Sequence, residues 1–264
     1  MTNNQTMSRQ FSNLIFFFLL LISCEKNDLY VDPDYPTTFY KLSDEMVSQM
    51  RLSLSNDYPY LRSTLNEFGF CYPSDYYDVM NPPSNSHLLT ETESIELAKD
   101  FISKHPSETG IENLEDLSIS KVYSLPGGTH WIVVTSFQKV DTIEVLHTDI
   151  AFNFQNGEII SCEGNWFPNI YIPTKFNFNE SKAKINIIGK KVSHYDIGGD
   201  EYFETITKSA IEKSTADLTI VSIKSADKIE IRVAWMIYVP EVSSKVYVDV
   251  MTGKIIRQES TVIS

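Results

Sequence analysis

Basic residues are scarce in this chain: 22 Lys and Arg stand against 35 Asp and Glu among 264 residues, a formal charge of −13. Nucleic-acid binding needs clustered cations against phosphates, so that class is excluded. An anionic membrane surface would repel the same charge. Histidine numbers only 5. The five are followed by Leu88, Pro106, Trp131, Thr148 and Tyr195, never by Glu. A zinc protease needs two His one helical turn apart with a Glu between them as base, so its His-Glu-x-x-His site is missing and no catalytic residue is assigned. Cysteine numbers 3, too few for a disulfide framework. Neither Cys71 nor Cys162 sits in a motif that would make it a nucleophile. The pairs Gly127-Gly128 and Gly198-Gly199 lack the helix-starting pattern of a phosphate loop and read as turns. His147 and Asp149 share one face of an expected strand, with Glu144 near. Any solvated strand face produces that spacing, so no metal site and no cofactor is expected.

Apolar residues make up 42% of the chain, enough for a folded core. The longest apolar run is N-terminal. Arg9 precedes Phe11 to Ile22, and the chain then turns polar at Glu25-Lys26-Asn27-Asp28. This is the layout of a secretory signal, too short to span a bilayer comfortably, and Met7 as start would give its basic region the usual length. Leu21-Ile22-Ser23-Cys24 resembles a bacterial lipobox, which implies lipid attachment at Cys24. The acids after it weakly resemble the export tag of surface lipoproteins. Residues 1–23 are therefore expected to be a signal peptide, and the chain to be exported and held at the outer membrane or cell surface by its lipid. In such a compartment Cys71 and Cys162 can pair or remain buried thiols, and both readings stay open.

Residues 24–85 read as a tether followed by a tyrosine-rich segment. Asp32-Pro33-Asp34-Tyr35-Pro36 has no periodicity. Leu42, Met46, Val47 and Met50 have helical spacing. Tyr58, Tyr60, Tyr72, Tyr76 and Tyr77 follow, and Asn81-Pro82-Pro83-Ser84-Asn85 breaks the chain. These tyrosines are candidate ligand-binding residues, since a phenol ring offers a flat apolar face and a hydroxyl. The same rings can instead pack the segment onto a core with Leu61, Leu65 and Phe68.

The remainder reads as two similar halves, residues 86–172 and 173–264. Thr90 and Glu93 have capping-box spacing ahead of Ile95, Ala98, Ile102 and His105, and Pro106 ends that helix. Strands are expected at 117–125, 129–137, 143–154 and 158–163, the last two joined by the hairpin signal Asn156-Gly157. In the second half Ala183, Ile185, Ile188 and Val192 predict a helix that Gly189 weakens, and Phe203 to Ile211 a second helical stretch. Strands follow at 218–224, 229–239, 245–251 and 254–259. Ile229, Ile231, Val233, Trp235, Ile237 and Val239 give one of them a single apolar face. The fold class is α+β, each half a helix on a short antiparallel sheet that closes in a tight hairpin.

Ala98-Lys99-Asp100-Phe101-Ile102, Gly127-Gly128-Thr129-His130 and Asp149 to Ser161 together resemble the fungalysin/thermolysin propeptide domain. Arg232 to Val239, followed by Lys245-Val246-Tyr247-Val248-Asp249-Val250-Met251-Thr252-Gly253-Lys254-Ile255-Ile256, resembles the PepSY domain. The resemblance covers roughly residues 93–262. It implies two cystatin-like units in the order they take ahead of thermolysin-like proteases, where they assist folding and occupy the active-site cleft. No catalytic domain follows here, so it implies a non-enzymatic module that binds a protein partner, most readily a secreted or envelope protease. A second expectation is a surface scaffold capturing glycan, peptide or another envelope protein, to which the tyrosines would contribute.

Overall fold

Short antiparallel strands dominate the molecule, because the sequence alternates apolar and polar residues in brief runs bounded by turn residues. The computed structural model describes residues 29–62, 64–72, 88–125, 129–195 and 201–260, with the backbone alone at 194 and 195. The expected signal peptide, Cys24, Tyr76, Tyr77, the 81–85 break and both paired-glycine turns lie outside the described residues. Residues 29–31 belong to an N-terminal unit, and the rest concerns the second unit, Asp32–Ser264. Among the described residues no helix is long and apolar enough to cross a membrane.

The elements run β1 (Thr37–Tyr40), α1 (Asp44–Asp57), β2 (Thr64–Leu65), β3 (Cys71–Tyr72), α2 (Glu91–Lys104), α3 (Pro106–Thr109), β4 (Ile119–Ser124), β5 (His130–Thr135), β6 (Lys139–Val140), β7 (Ile143–Glu144), β8 (Ile150–Gln155) and β9 (Glu158–Gly164). The second half adds α4 (Glu180–Asn186), β10 (Lys191–Tyr195), β11 (Glu201–Thr205), α5 (Lys208–Glu212), β12 (Thr215–Lys224), β13 (Lys228–Val239), β14 (Ser244–Asp249) and β15 (Ile255–Ser260). The first half forms a four-stranded antiparallel sheet in the order β4-β5-β8-β9. The second forms a five-stranded antiparallel sheet. There β13 carries β12 along one side, while β1 and β14 lie end to end along the other, with β15 outside β14. The chain is thus mixed helix and antiparallel sheet.

Helix α2 starts as its sequence dictates. Thr90 Oγ1 accepts from Glu93 N at 3.3 Å and Thr90 N donates to Glu93 Oε2 at 2.7 Å, which satisfies two end groups of the first turn. Its Ala98, Phe101 and Ile102 pack on Val133, Ile150, Phe152 and Phe154 of the first sheet. Val47, Leu54, Leu65 and Cys71 from the N-terminal segment complete that core. In the second sheet Ala183 of α4, Ile187 just past its end and Ala210 of α5 cover Ile237, Val239, Val246 and Val248. A third cluster joins the halves, with Phe68, Phe70 and Phe167 against Ile229, Ile231 and Val233. Asn156 at φ 51° and Gly157 at φ 86° make the expected tight turn between β8 and β9.

Four expectations are corrected. The tether reading fails from Asp32 onward: Asp32 is buried and accepts from the Tyr171 hydroxyl at 2.9 Å, and β1 pairs with Lys228 to Ile231. The strand expected over 143–154 is broken. Thr148 Oγ1 donates to Val145 O at 2.7 Å and accepts from Gln138 N at 2.8 Å, which turns the chain so that Leu146 N reaches Ile220 O at 2.9 Å on the edge of β12. The helix expected through Val192 ends at Asn186, with Ile185 66% exposed and Val192 buried on β10. Gly189, at φ 78°, ends that helical region. Phe203 lies in β11, and the helical turn starts only where the Thr207 hydroxyl accepts from Ala210 N.

The hairpin after β14 is organised by one carboxylate. Asp249 is fully buried. Its Oδ1 accepts from Met251 N at 3.0 Å, Thr252 N at 2.7 Å and Thr252 Oγ1 at 2.9 Å. Its Oδ2 accepts from the Tyr35 hydroxyl at 2.8 Å and from Arg232 Nη1 at 2.9 Å. The Tyr35 oxygen also meets the backbone of Val233, accepting from its N–H at 3.0 Å and lying 3.2 Å from its carbonyl oxygen. Burial, then the Asp249 charge, holds the Tyr35 phenol protonated far above its ordinary range. Gly253 turns this hairpin at φ 68°, and a Cβ there would overlap the ring of Phe178.

Asp249→Ala is expected to cost about 3–5 kcal/mol, because five donors lose their acceptor and Arg232 keeps only Glu230, whereas Tyr35→Phe costs about 1–2 kcal/mol. Urea unfolding at constant slope reads both, and a cost for Asp249→Ala no larger than that for Tyr35→Phe would refute the arrangement. Glu230 supplies a pH test. Its carboxyl is held below the ordinary range by hydrogen bonds from Lys228 and then Arg232. A depressed carboxyl contributes fully above the unfolded value of about 4.3 and loses that contribution as pH falls through the lower folded value. Glu230→Gln should therefore flatten the fall in melting temperature below about pH 4.3. An unchanged acid slope would exclude this contribution.

Candidate functional site

Helix α1 begins where the Ser43 hydroxyl accepts from Met46 N at 3.2 Å. Val47 and Leu54 turn inward, which leaves Ser48, Arg51 and Leu52 along an outer flank. Facing that flank is the β2–β3 hairpin, in which Thr64 pairs with Tyr72 and Leu65 with Cys71. The side-chain oxygen of Asn66 shapes its turn, accepting from Phe68 N at 2.9 Å and Phe70 N at 3.1 Å. Gly69 lies at φ 86° against Leu42 and Met50, where a side chain would crowd Leu42.

Helix and hairpin leave a groove between them, formed by two adjoining cavities of about 420 and 470 Å³ that share Ser48, Arg51 and Thr64. One end is apolar, with Leu52, Leu54 and Leu61. The other carries Lys41, Arg51 and Lys224 with Asp44, Glu67 and Tyr72. Arg51 Nη2 donates to Leu65 O at 2.5 Å, which fixes the guanidinium across the groove. Lys224 Nζ stands 2.8 Å from Glu67 Oε1, and its hydrogen bond is the main cause that lowers the Glu67 pKa. Leu52 is 62% and Tyr72 56% exposed, so an apolar and an aromatic side chain remain open to a ligand. Lys41, Arg51 and Lys224 outnumber Asp44 and Glu67 here by one in a chain with an acidic excess, so the arrangement can take a carboxylate beside an apolar or ring-shaped group.

A larger cavity, about 610 Å³, lies between the outer flank of α2 and the Asn156-Gly157 turn, edged by Glu93, Glu96, Asp100 and Glu158. Three of those acids already have partners: Glu93 caps α2, Glu96 lies 3.4 Å from Lys99, and Asp100 lies 2.6 Å from Lys104.

The candidate tyrosines part company. Tyr58 is half-buried, its ring 4.9 Å from Phe101 and 5.5 Å from His105, so it packs α1 onto α2. Burial raises its pKa. Tyr60 is half-buried, and Tyr72 lines the groove. His147 sits in a turn, with Nε2 3.1 Å from Arg257 Nη2 and 3.8 Å from Glu259 Oε1. Among the described residues no three His, Cys, Asp or Glu side chains are grouped to hold a metal ion. Sequence reasoning missed Lys41, Arg51 and Lys224. Arg51 has the spacing of an ordinary solvated helix flank, and Lys224 comes from the far end of β12.

No family model and no curated protein matches the sequence. Among solved structures, the Bacillus megaterium YpeB C-terminal domain is similar at 10% identity and a TM-score of 0.32, over 84% of this chain and 98% of that one.

Tyr58→Ala should cost about 2–3 kcal/mol through lost ring packing, whereas Tyr72→Ala should leave stability within about 0.5 kcal/mol. Equal losses in chemical denaturation would mean that Tyr72 is a packing residue too.

Proposed function

We propose that this chain is a non-catalytic, exported binding protein, lipidated at Cys24 and held at the outer membrane or cell surface, whose groove between α1 and the β2–β3 hairpin receives a segment of a protein partner. The groove itself carries the reading: one apolar end, Arg51 across the middle, Lys41 and Lys224 with Asp44 and Glu67 at the other end, a net excess of one cation, and an exposed ring suit an extended peptide with an acidic group. A secreted or envelope protease is the partner class, in keeping with the propeptide resemblance of residues 93–262. In this reading the two halves are cystatin-like units, and the N-terminal segment supplies the surface that grips the partner. The test is titration of a thermolysin-type metalloprotease with the full chain, following activity and the heat of binding. Inhibition at micromolar concentration is expected, weakened at least about tenfold, or about 1.4 kcal/mol, by Arg51→Glu. No binding heat and unchanged protease activity would sink the protease partner.

The exposed Tyr72 ring beside Lys41 and Arg51 favours a second reading, capture of an acidic glycan by stacking and ion pairing. Binding to uronic-acid oligosaccharides that Tyr72→Ala abolishes would select it.

A further inference from the structure

Two thiols from distant parts of the chain meet in the first core. Cys71, on β3, is 2% exposed and Cys162, on β9, is fully buried. They are not joined by a disulfide, and their side chains meet in the same apolar cluster, where β3 packs against β9. Their backbones are held independently of the thiols. Cys71 pairs with Leu65, and Cys162 pairs with Phe152 inside the sheet. Arg62 N donates to Ile160 O at 2.8 Å, which lays the N-terminal segment along the outer edge of β9. A disulfide spans Cα atoms roughly 4.4–6.8 Å apart, the scale of the spacing between adjacent strands at about 4.8 Å, and these cysteines stand on two strands that pack together.

We propose that Cys71 and Cys162 form a disulfide when the chain folds in the presence of a disulfide oxidant, cross-linking the N-terminal hairpin to the first sheet. One thiolate attacks a sulfur of the oxidant, forms a mixed disulfide and expels a thiol. The second thiolate attacks the protein-bound sulfur and expels the other. Two protein thiols give up two protons and two electrons, and the oxidant's disulfide is reduced to two thiols. The bond forms before the hairpin docks, since burial raises the Cys162 thiol well above its ordinary range and shuts out reagents afterwards. It closes a long loop that contains all of α2 and fixes the wall carrying Tyr72, whatever the groove binds.

The test refolds the full chain in mixed reduced and oxidised glutathione, blocks remaining thiols with iodoacetamide and maps unreduced peptides by mass spectrometry. The expected map links the Cys71 and Cys162 peptides, with the same link in Cys24→Ser. Reductant should lower the melting temperature by roughly 10 °C, and the Cys71→Ala/Cys162→Ala double variant should lose that response. Recovery of both thiols alkylated, or linked only to Cys24 or to another chain, overturns the proposal. If the chain does not refold, the map of protein exported into an oxidising periplasm decides on the same criteria.

Discussion

The buried carboxylate of Asp249 ties together parts of the chain that share no local sequence. It closes the last hairpin through its own turn, neutralises Arg232 on the neighbouring strand, and holds Tyr35 from the other end of the chain. A buried charge is tolerable only when every lone pair finds a donor, and here five donors converge on two oxygens. Its gain is specificity more than raw stability, since an apolar substitute for the whole group could pack as well. What the carboxylate imposes is register: β13, the hairpin and the N-terminal segment fit its geometry in one alignment.

The local half of this fold was legible in the sequence. Thr90 and Glu93 announced a capped helix, Asn156-Gly157 a hairpin, and the alternation from Ile229 to Val239 a half-buried strand, because each signal is complete within a dozen residues. The misreadings have two causes, local breakers given too little weight and tertiary partners. Val192 and Phe203 had helical spacing, yet Gly189 and the Thr207 cap decided where helix could form. His147 had strand spacing, but Thr148 turns the chain toward β12 for the sake of a contact with Ile220, seventy-odd positions away. Tertiary partners of that kind leave no local trace.

The groove shows the same limit. Tyr72 could be named in advance because tyrosine is informative by itself. Arg51 could not, since a charged residue on a helix flank is usually solvated, and Lys224 reaches the groove only through the pairing of β12 with β13. Tyr58, four residues past the inward-facing Leu54, faces Phe101 instead, so one tyrosine-rich stretch serves both packing and surface.

The end-to-end placement of β1 and β14 on one side of β13 governs how the molecule is made. β1 is synthesised early, but its partner strand follows almost two hundred residues later. Contact order is therefore high at this seam, and high contact order slows folding. During that interval β1 has no partner strand and presents unpaired backbone groups, the feature that invites association between chains. A chain made N-terminus first must hold that early strand in reserve until β13 is complete, so the seam at β1 closes late.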